Sequence, residues 1–392
     1  MKKVLFVVDE RRMGGVSIVL EDYLNNLNLS NYKVDLLVLH NVGDRLEKIP
    51  NNINVIYIDS YFDIIDESIK KLINSRQIFK IIKKVYFSFL MKTGLISSYI
   101  KTVRKKEKIT GYDVEISFKA GFCTLFTGHG DSKKKIDWVH SDYSTADNTA
   151  RYRKTFNKCI KKFTNIVTIS EDIKKAFNEA YNGYEDKIIV IKNYLNDDRI
   201  ISMSKEKNDN KLNKKKINIV SVGRLSEEKS YNRLIEACVM LKNYDKSMLD
   251  KIQIDIIGDG EEKEKLETML HENGLNKTIH LLGRKNNPYT YMKDYDLFIL
   301  ASKTEAYSLV MVESLILKVP VLTTKVASVS YILENEKYGK VVDNNVNGIY
   351  NGLKSIIEDT KQLNTLKKNL FNYSYKSQNK TILKQIQKLL EE

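Results

Sequence analysis

The stretch from Asp296 to Thr324, DLFILASKTEAYSLVMVESLILKVPVLTT, admits few folds. It opens on Leu297-Phe298-Ile299-Leu300, a short apolar run bounded by polar residues, which predicts a buried parallel strand. A polar loop, Ser302-Lys303-Thr304-Glu305, follows, and SLVMVESLIL then suits a helix of about ten residues. Pro320 is expected to stop that helix, and Val321-Leu322-Thr323-Thr324 to begin the next strand. Strand, loop, helix, strand is the βαβ element of an open parallel sheet, and such sheets bind ligands outside the carboxyl ends of their strands. Glu305 and Ser308 fall at that end. A helix starting near Ser308 leaves its first backbone N–H groups unpaired, and with the helix dipole they form an anion site. Glu305 lies just before this helix and Glu313 about one turn inside it. Two readings stay open at this point. The acids belong to a half-buried amphipathic helix and are merely solvated, or each grips a pair of vicinal hydroxyls beside a phosphate held at the helix end.

At 392 residues the chain exceeds what one core supports, so two domains are expected. Residues 1–195 read as one βα series, the polar and charged stretch 196–216 as a linker, and 217–370 as a second series, with helix from 371 to 392. The three cysteines, Cys123, Cys159 and Cys238, are widely spaced and form no metal-ligand pattern, which points to free thiols in a reducing cytoplasm. The net charge of +15 suits nucleic acid, a membrane surface or anionic small molecules, and it also follows from a composition rich in Lys, Asn and Ile. No aromatic-and-basic signature of nucleic-acid binding is present, so no nucleic acid partner is expected. The opening MKKVLFVVDE is too short for a signal peptide and reads as a first buried strand, and no apolar run reaches the roughly eighteen residues of a membrane span.

In the first half, strands are expected at KVLFVV, Val34–Leu39, Ile53–Ile58, Tyr112–Phe118, Lys135–Tyr143, Asn165–Ser170 and Lys187–Asn193. The loop after the first, Arg11 to Val16, holds Gly14 and Gly15, which permit close backbone approach to a ligand but do not make the dinucleotide fingerprint. His140 and Asp142 stand at the carboxyl end of the fifth strand, and Ser170 is a good N-cap for the helix after the sixth. The segment Lys70–Lys108 is helical in period and carries twelve basic side chains with Glu107 as its only acid. It reads equally as a solvated helical face or as a helix lying on an anionic membrane surface.

In the second half, the strand Ile217–Val222 runs into Gly223-Arg224-Leu225-Ser226-Glu227-Glu228-Lys229, where a guanidinium fork and an ammonium on one loop can converge on a diphosphate or remain plain surface charge. Gly258-Asp259-Gly260 ends the strand beginning at Gln253, and Gly283-Arg284 ends the one beginning at Ile279. The last strand is Gly339–Val342.

These segments together resemble the retaining glycosyltransferases of family 4, in the branch that builds bacterial surface polysaccharides. The carrying motifs are V-G-R-L-x-x-x-K at Val222–Lys229, Glu-seven-Glu at Glu305 and Glu313, Gly258-Asp259-Gly260, and Trp-Val-His-x-Asp at Trp138–Asp142. The resemblance implies an α/β GT-B fold, two Rossmann-like domains facing each other across a cleft, with the last helix crossing back to the first domain. It implies a hexosyltransferase-type reaction, moving a sugar from a nucleoside diphosphate sugar to a hydroxyl of a growing cell-surface glycan. Arg224 and Lys229 would bind the diphosphate, Glu305 the sugar and Glu313 the ribose. Gly15, Gly258, Gly260, Arg284, Ala306, Tyr307, Ser308 and Leu309 would complete the donor site, and His140 with Glu305 would serve catalysis. No metal cofactor is implied. The acceptor would be lipid-linked and the enzyme peripheral on the cytoplasmic face of the membrane. A non-catalytic relative that binds glycan or a partner, and a nucleotide-sugar epimerase of similar fold, are the alternatives. The chain departs from the family where glycines are usual: Ala306 and Ser308 in the Glu-seven-Glu motif, Ser230 after the lysine, Lys318-Val319 before Pro320, and Ala327-Ser328 after the following strand.

Overall fold

The computed structural model describes residues 1–9, 14–40, 49–64, 72–73, 75–140 and 152–392. Asp142 and the loop residues Arg11 to Met13 lie outside them. The chain divides into two compact units, Met1–Tyr194 with Lys380–Glu392, and Leu195–Asn379.

The first unit is built on β1 (Lys2–Val8), β2 (Tyr32–Val38), β3 (Asn54–Tyr57), β4 (Val114–Ser117), β5 (Lys134–Val139), β6 (Asn165–Thr168) and β7 (Ile188–Val190). They form one parallel sheet in the order β3-β2-β1-β4-β5-β6-β7. The middle strands are apolar on both faces because helices cover both, and Val4, Leu5, Phe6, Val7, Ile116, Ile136 and Val167 are buried. The C-terminal helix, Lys376–Glu391, supplies Ile382, Ile386, Leu389 and Leu390 to the buried set of the chain. Its end is tied down where the Lys2 ammonium donates to the Glu391 carbonyl at 2.6 Å.

The second unit is built on β8 (Ile217–Val222), β9 (Ile252–Ile257), β10 (Ile279–Gly283), β11 (Leu297–Leu300), β12 (Val321–Thr324) and β13 (Gly339–Val342). This sheet is also parallel, in the order β10-β9-β8-β11-β12-β13. Each unit is therefore Rossmann-like, with an inner strand from which the chain winds out in one direction and then in the other. The reversals fall between β1 and β4 and between β8 and β11.

Several elements differ from the sequence expectation in their bounds, the helix expected from 371 starting at Lys376 among them, and two differences have a local cause. The 196–216 stretch holds a helix, Asp197–Ser204, whose N-terminus is capped by the Asn196 side chain accepting from the Arg199 amide at 2.9 Å. The helix expected to run up to Pro320 spans Leu309–Ile316 instead. Lys318 takes a left-handed backbone, φ +66°, and the Lys318 and Val319 amides close back on the Leu315 and Ser314 carbonyls. That turn ends the helix two residues before the proline.

Candidate active site in the second unit

The reversal between β8 and β11 brings two loops together at the carboxyl edge of the second sheet, 223–230 and 301–308. Ligands of open α/β sheets sit at this place because the helices that follow the two strands leave on opposite faces and open a crevice. Both loops are held by backbone bonds. The Leu225 amide donates to the Asp259 carbonyl at 3.0 Å, the Glu262 amide to the Leu225 carbonyl at 3.0 Å, and the Lys303 amide to the Glu228 carbonyl at 2.8 Å.

Within this frame Lys229 and Glu305, 76 residues apart in sequence, form an ion pair of 2.5 Å. Both side chains are largely buried, and Ser302 donates a second hydrogen bond to the same Glu305 oxygen at 2.9 Å. Arg224, on the same loop as Lys229, is exposed to solvent. Glu313 lies inside the Leu309–Ile316 helix, is buried, and accepts from the Tyr289 hydroxyl at 2.9 Å. The N-terminus of that helix is capped by Ser308, whose hydroxyl is buried and makes no hydrogen bond among the described residues. The first-turn N–H groups beyond it have no intrahelical partners, so this end carries partial positive charge beside Lys229 and Arg224's loop. The site thus offers two cationic side chains, a helix N-terminus and two carboxylates set at different depths. That set suits a diphosphate flanked by two polyhydroxyl groups.

The remaining residues of the expected donor site fall on the same unit. Ala306, Tyr307 and Leu309 continue the 301–308 loop into the helix, and Tyr307 is buried with its hydroxyl 3.3 Å from that of Tyr375. Arg284 follows β10 and is exposed. Gly258 and Gly260 have a local reason to be glycine. A Cβ on Gly258, at φ +156°, would stand 1.8 Å from the Gly223 carbonyl oxygen, and one on Gly260 2.4 Å from that of Leu225. These glycines let the β9 loop press against the loop that carries Arg224 and Lys229.

Sequence reasoning missed Tyr289 and Ser302, the partners of the two glutamates. Nothing in periodicity marks them: Tyr289 meets Glu313 between two helices, and Ser302 meets Glu305 three residues on in the same loop.

The first unit holds the two other expected residues. Gly15 is the first residue of the Gly15–Asn26 helix, after the loop that follows β1. His140 follows β5 and is buried. Its ring stacks on Trp138 at 6.3 Å between centroids and leans on Phe118 at 5.0 Å. Burial, with a smaller contribution from the nearby Lys119 charge, pushes His140 down to about 3, so the imidazole is neutral near pH 7. Its Nε2 has no hydrogen-bond partner among the described residues. Lys119 itself pairs with Asp9 at 2.8 Å, and these two residues follow β4 and β1, the strands flanking this sheet's own reversal.

Residues 202–372 match the family model described as glycosyl transferases group 1. A stretch of 145 residues is 34% identical to an N-acetylgalactosamine-N,N'-diacetylbacillosaminyl-diphospho-undecaprenol 4-alpha-N-acetylgalactosaminyltransferase from Campylobacter jejuni, covering 36% of this chain and 38% of that one. The chain spans less than half the length of the first curated relatives it matches. Among solved structures, HepE of Anabaena in complex with UDP and glucose superposes with a TM-score of 0.71 at 16% identity, covering 100% of both chains. A mutant of Staphylococcus aureus TarM in complex with fondaparinux, alpha-GlcNAc-glycerol and UDP does so at 0.68 and 14% identity, again over 100% of both. The fold is GT-B, and over residues 202–372 the chain carries the group 1 glycosyltransferase pattern.

Proposed function

We propose that the protein is a retaining glycosyltransferase of family 4 that moves a hexosyl group from a nucleoside diphosphate sugar to a hydroxyl of a growing cell-surface glycan. The observation that carries this reading is the meeting of Lys229 with Glu305 at the reversal of the second sheet, with Glu313 held by Tyr289 inside the adjoining helix. Arg224 and Lys229 take the diphosphate together with the Leu309–Ile316 helix end, Glu305 the sugar and Glu313 the ribose. UDP is the first nucleotide to test, because HepE and TarM were crystallised with it.

In the reaction the bond from the sugar C1 to the diphosphate oxygen breaks while the acceptor oxygen bonds C1 on the same face. The acceptor proton passes to the departing phosphate oxygen. The transition state is oxocarbenium-like, and fixed charge around the leaving group supplies most of its stabilisation. Two side-chain cations and a helix end are enough to neutralise the diphosphate, so turnover should persist in EDTA. His140, neutral at physiological pH, is the group proposed for catalysis from the first unit. The acceptor is lipid-linked, as the Campylobacter relative's name describes for its own acceptor, and the enzyme works peripherally at the cytoplasmic leaflet.

Calorimetry with UDP and then with UDP-sugars tests the reading. Arg224→Ala and Lys229→Ala each remove a charge-assisted contact, and each should weaken UDP by about 1.5–3 kcal/mol with the fold intact. Unchanged affinity in both variants, or turnover that stops on chelation and returns with manganese, overturns the corresponding part of it.

A further inference from the structure

The helix Ile78–Thr93 presents an apolar face to solvent. Ile78, Phe79, Ile82, Val85, Tyr86 and Phe89 recur at helical spacing on one side; Phe79 is 89% exposed and each of the others at least 49%. The opposite side of the same helix is the packed one. Phe87, Leu90 and Met91 are buried, and Phe87 lies in an aromatic cluster with Phe62, Tyr99 and Phe122. Two lysines of the helix lean toward the packed side. Lys83 pairs with Asp63 and donates to the Ser60 carbonyl at 2.8 Å, and Lys84 donates to the Ile64 carbonyl at 2.8 Å. Lys83 and Lys84 are therefore committed to the protein, while the six apolar side chains of the opposite side are turned out. An apolar face of this size on a water-soluble surface marks an interaction site.

Charge selects the occupant. Arg76, Lys92, Lys101, Lys105, Lys106 and Lys108 are exposed around this helix and the next, Ile96–Lys106. Glu107 is the only acid from Arg76 to Lys108, and it is taken by the Tyr61 hydroxyl at 2.7 Å. A second copy would bring like charge to like charge on a chain that already carries +15. An anionic lipid surface meets both demands, since acyl chains receive the apolar stripe while headgroups receive the surrounding cations. No helix among the described residues is long and apolar enough to cross a membrane, so the contact lies in the interface plane.

We infer that the protein docks on anionic bilayers by inserting the Ile78–Phe89 face of this helix, with the exposed cations beside it on the headgroups. This rests on and deepens the proposed peripheral location; its test needs neither donor nor turnover, so its failure removes that location and leaves the proposed sugar transfer untouched.

The full-length protein is mixed with vesicles of phosphatidylglycerol and phosphatidylcholine, or of phosphatidylcholine alone, and sedimented. The wild type should pellet with the anionic vesicles at low salt and stay in solution with the neutral ones. Phe79→Ser with Phe89→Ser should lower the vesicle partition coefficient by about tenfold or more with the circular dichroism spectrum unchanged. Lys92→Glu with Lys101→Glu should weaken binding and flatten its salt dependence. In a Phe79→Trp variant, anionic vesicles should shift the emission of the new indole to the blue. Wild-type protein left in the supernatant, or an indole at 79 that does not shift, overturns the inference. So does a wild-type dimer in light scattering that the double serine variant turns into a monomer, because the face would then belong to a second copy.

Discussion

At the scale of single residues, the two glutamates of the site are prepared differently. Glu305 is held by the Lys229 ammonium and the Ser302 hydroxyl, whereas Glu313 is buried and held by Tyr289. Under the proposed assignment, a diphosphate arriving at Lys229 would compete with Glu305 for that ammonium and release the carboxylate toward the sugar. Glu305→Gln should therefore lower turnover while UDP affinity holds or rises, because Lys229 has lost its internal partner. With Glu313 on the ribose as proposed, Glu313→Gln should weaken UDP and intact donor alike by about tenfold to a hundredfold, with Tyr289→Phe following in the same direction. Calorimetry on the three variants checks this, and an equal loss of UDP affinity at 305 and 313 would refute the division of roles.

His140 makes a second prediction at this scale, and its sign is fixed by its environment. Folded, the imidazole titrates at about 3; unfolded, at about 6.5. Between those values the unfolded chain binds the extra proton, so His140 lowers stability as pH falls through this window and contributes no pH dependence above it. At pH 5 the loss is about 2 kcal/mol relative to pH 7. The chain has one tryptophan, Trp138, which stacks on His140 and so reports on its unit. Urea unfolding followed by its fluorescence at pH 7 and pH 5 should show a smaller acid loss in His140→Gln than in the wild type. Equal losses in the two proteins would mean that the imidazole is not held neutral.

At the scale of elements, three positions where the glycosyltransferases this chain resembles usually carry glycine are instructive. Ser230, Lys318 and Ser328 all adopt left-handed backbone, with φ of +52°, +66° and +63°. The chain keeps the conformation that glycine serves and secures it with side chains. The Ser230 hydroxyl donates to the Glu227 carbonyl at 2.6 Å, that of Ser328 to the Ala306 carbonyl at 3.0 Å, and the Lys318 ammonium to the Tyr373 carbonyl. Left-handed backbone costs a residue with a Cβ about 1–2 kcal/mol, and one such hydrogen bond returns about 1. At 230 and 328, serine to glycine should thus be nearly neutral, within about 0.5 kcal/mol. Serine to alanine keeps the strain, loses the bond and should cost about 1 kcal/mol. Chemical denaturation followed by circular dichroism gives the order, and an alanine variant as stable as the glycine variant would contradict it.

The strands were legible in the sequence because parallel strands covered on both faces are short apolar runs; Leu297–Leu300 and Gly339–Val342 appear with the bounds expected. Helix ends were less so. Lys318 turns left-handed where nothing in its side chain signals it, so Pro320 took the blame for a stop made two residues earlier. In the Ile78–Thr93 helix both faces are apolar, and periodicity could not tell Phe87, which is buried, from Phe89, which is not. The cationic residues expected at the site, Arg224 and Lys229, lie on one loop, but the Lys229–Glu305 and Tyr289–Glu313 contacts join residues 76 and 24 apart in sequence and form only in the folded chain.

At the scale of the whole molecule, the division of the chain is not sequential. Lys380–Glu392 belongs with Met1–Tyr194, while Asn379, one residue earlier, belongs to the second unit. Asn379 donates to the Leu195 carbonyl at 2.7 Å and accepts from the Leu195 amide at 3.3 Å, so both ends of the second unit are pinned together at one side chain. Beyond it, Ile382, Ile386, Leu389 and Leu390 are buried, each worth about 1.5–3 kcal/mol on burial. Ending the chain after Asn379 removes all four from the first unit and leaves the bond pair of the second in place. The Trp138 fluorescence transition in urea should move to markedly lower concentration, or be lost altogether, while UDP binding at the second unit survives with its affinity within a fewfold of the full-length value. A truncated protein whose Trp138 transition is unmoved would show that these buried side chains stabilise nothing, and one that loses UDP together with the first unit would show that the second does not hold its site alone.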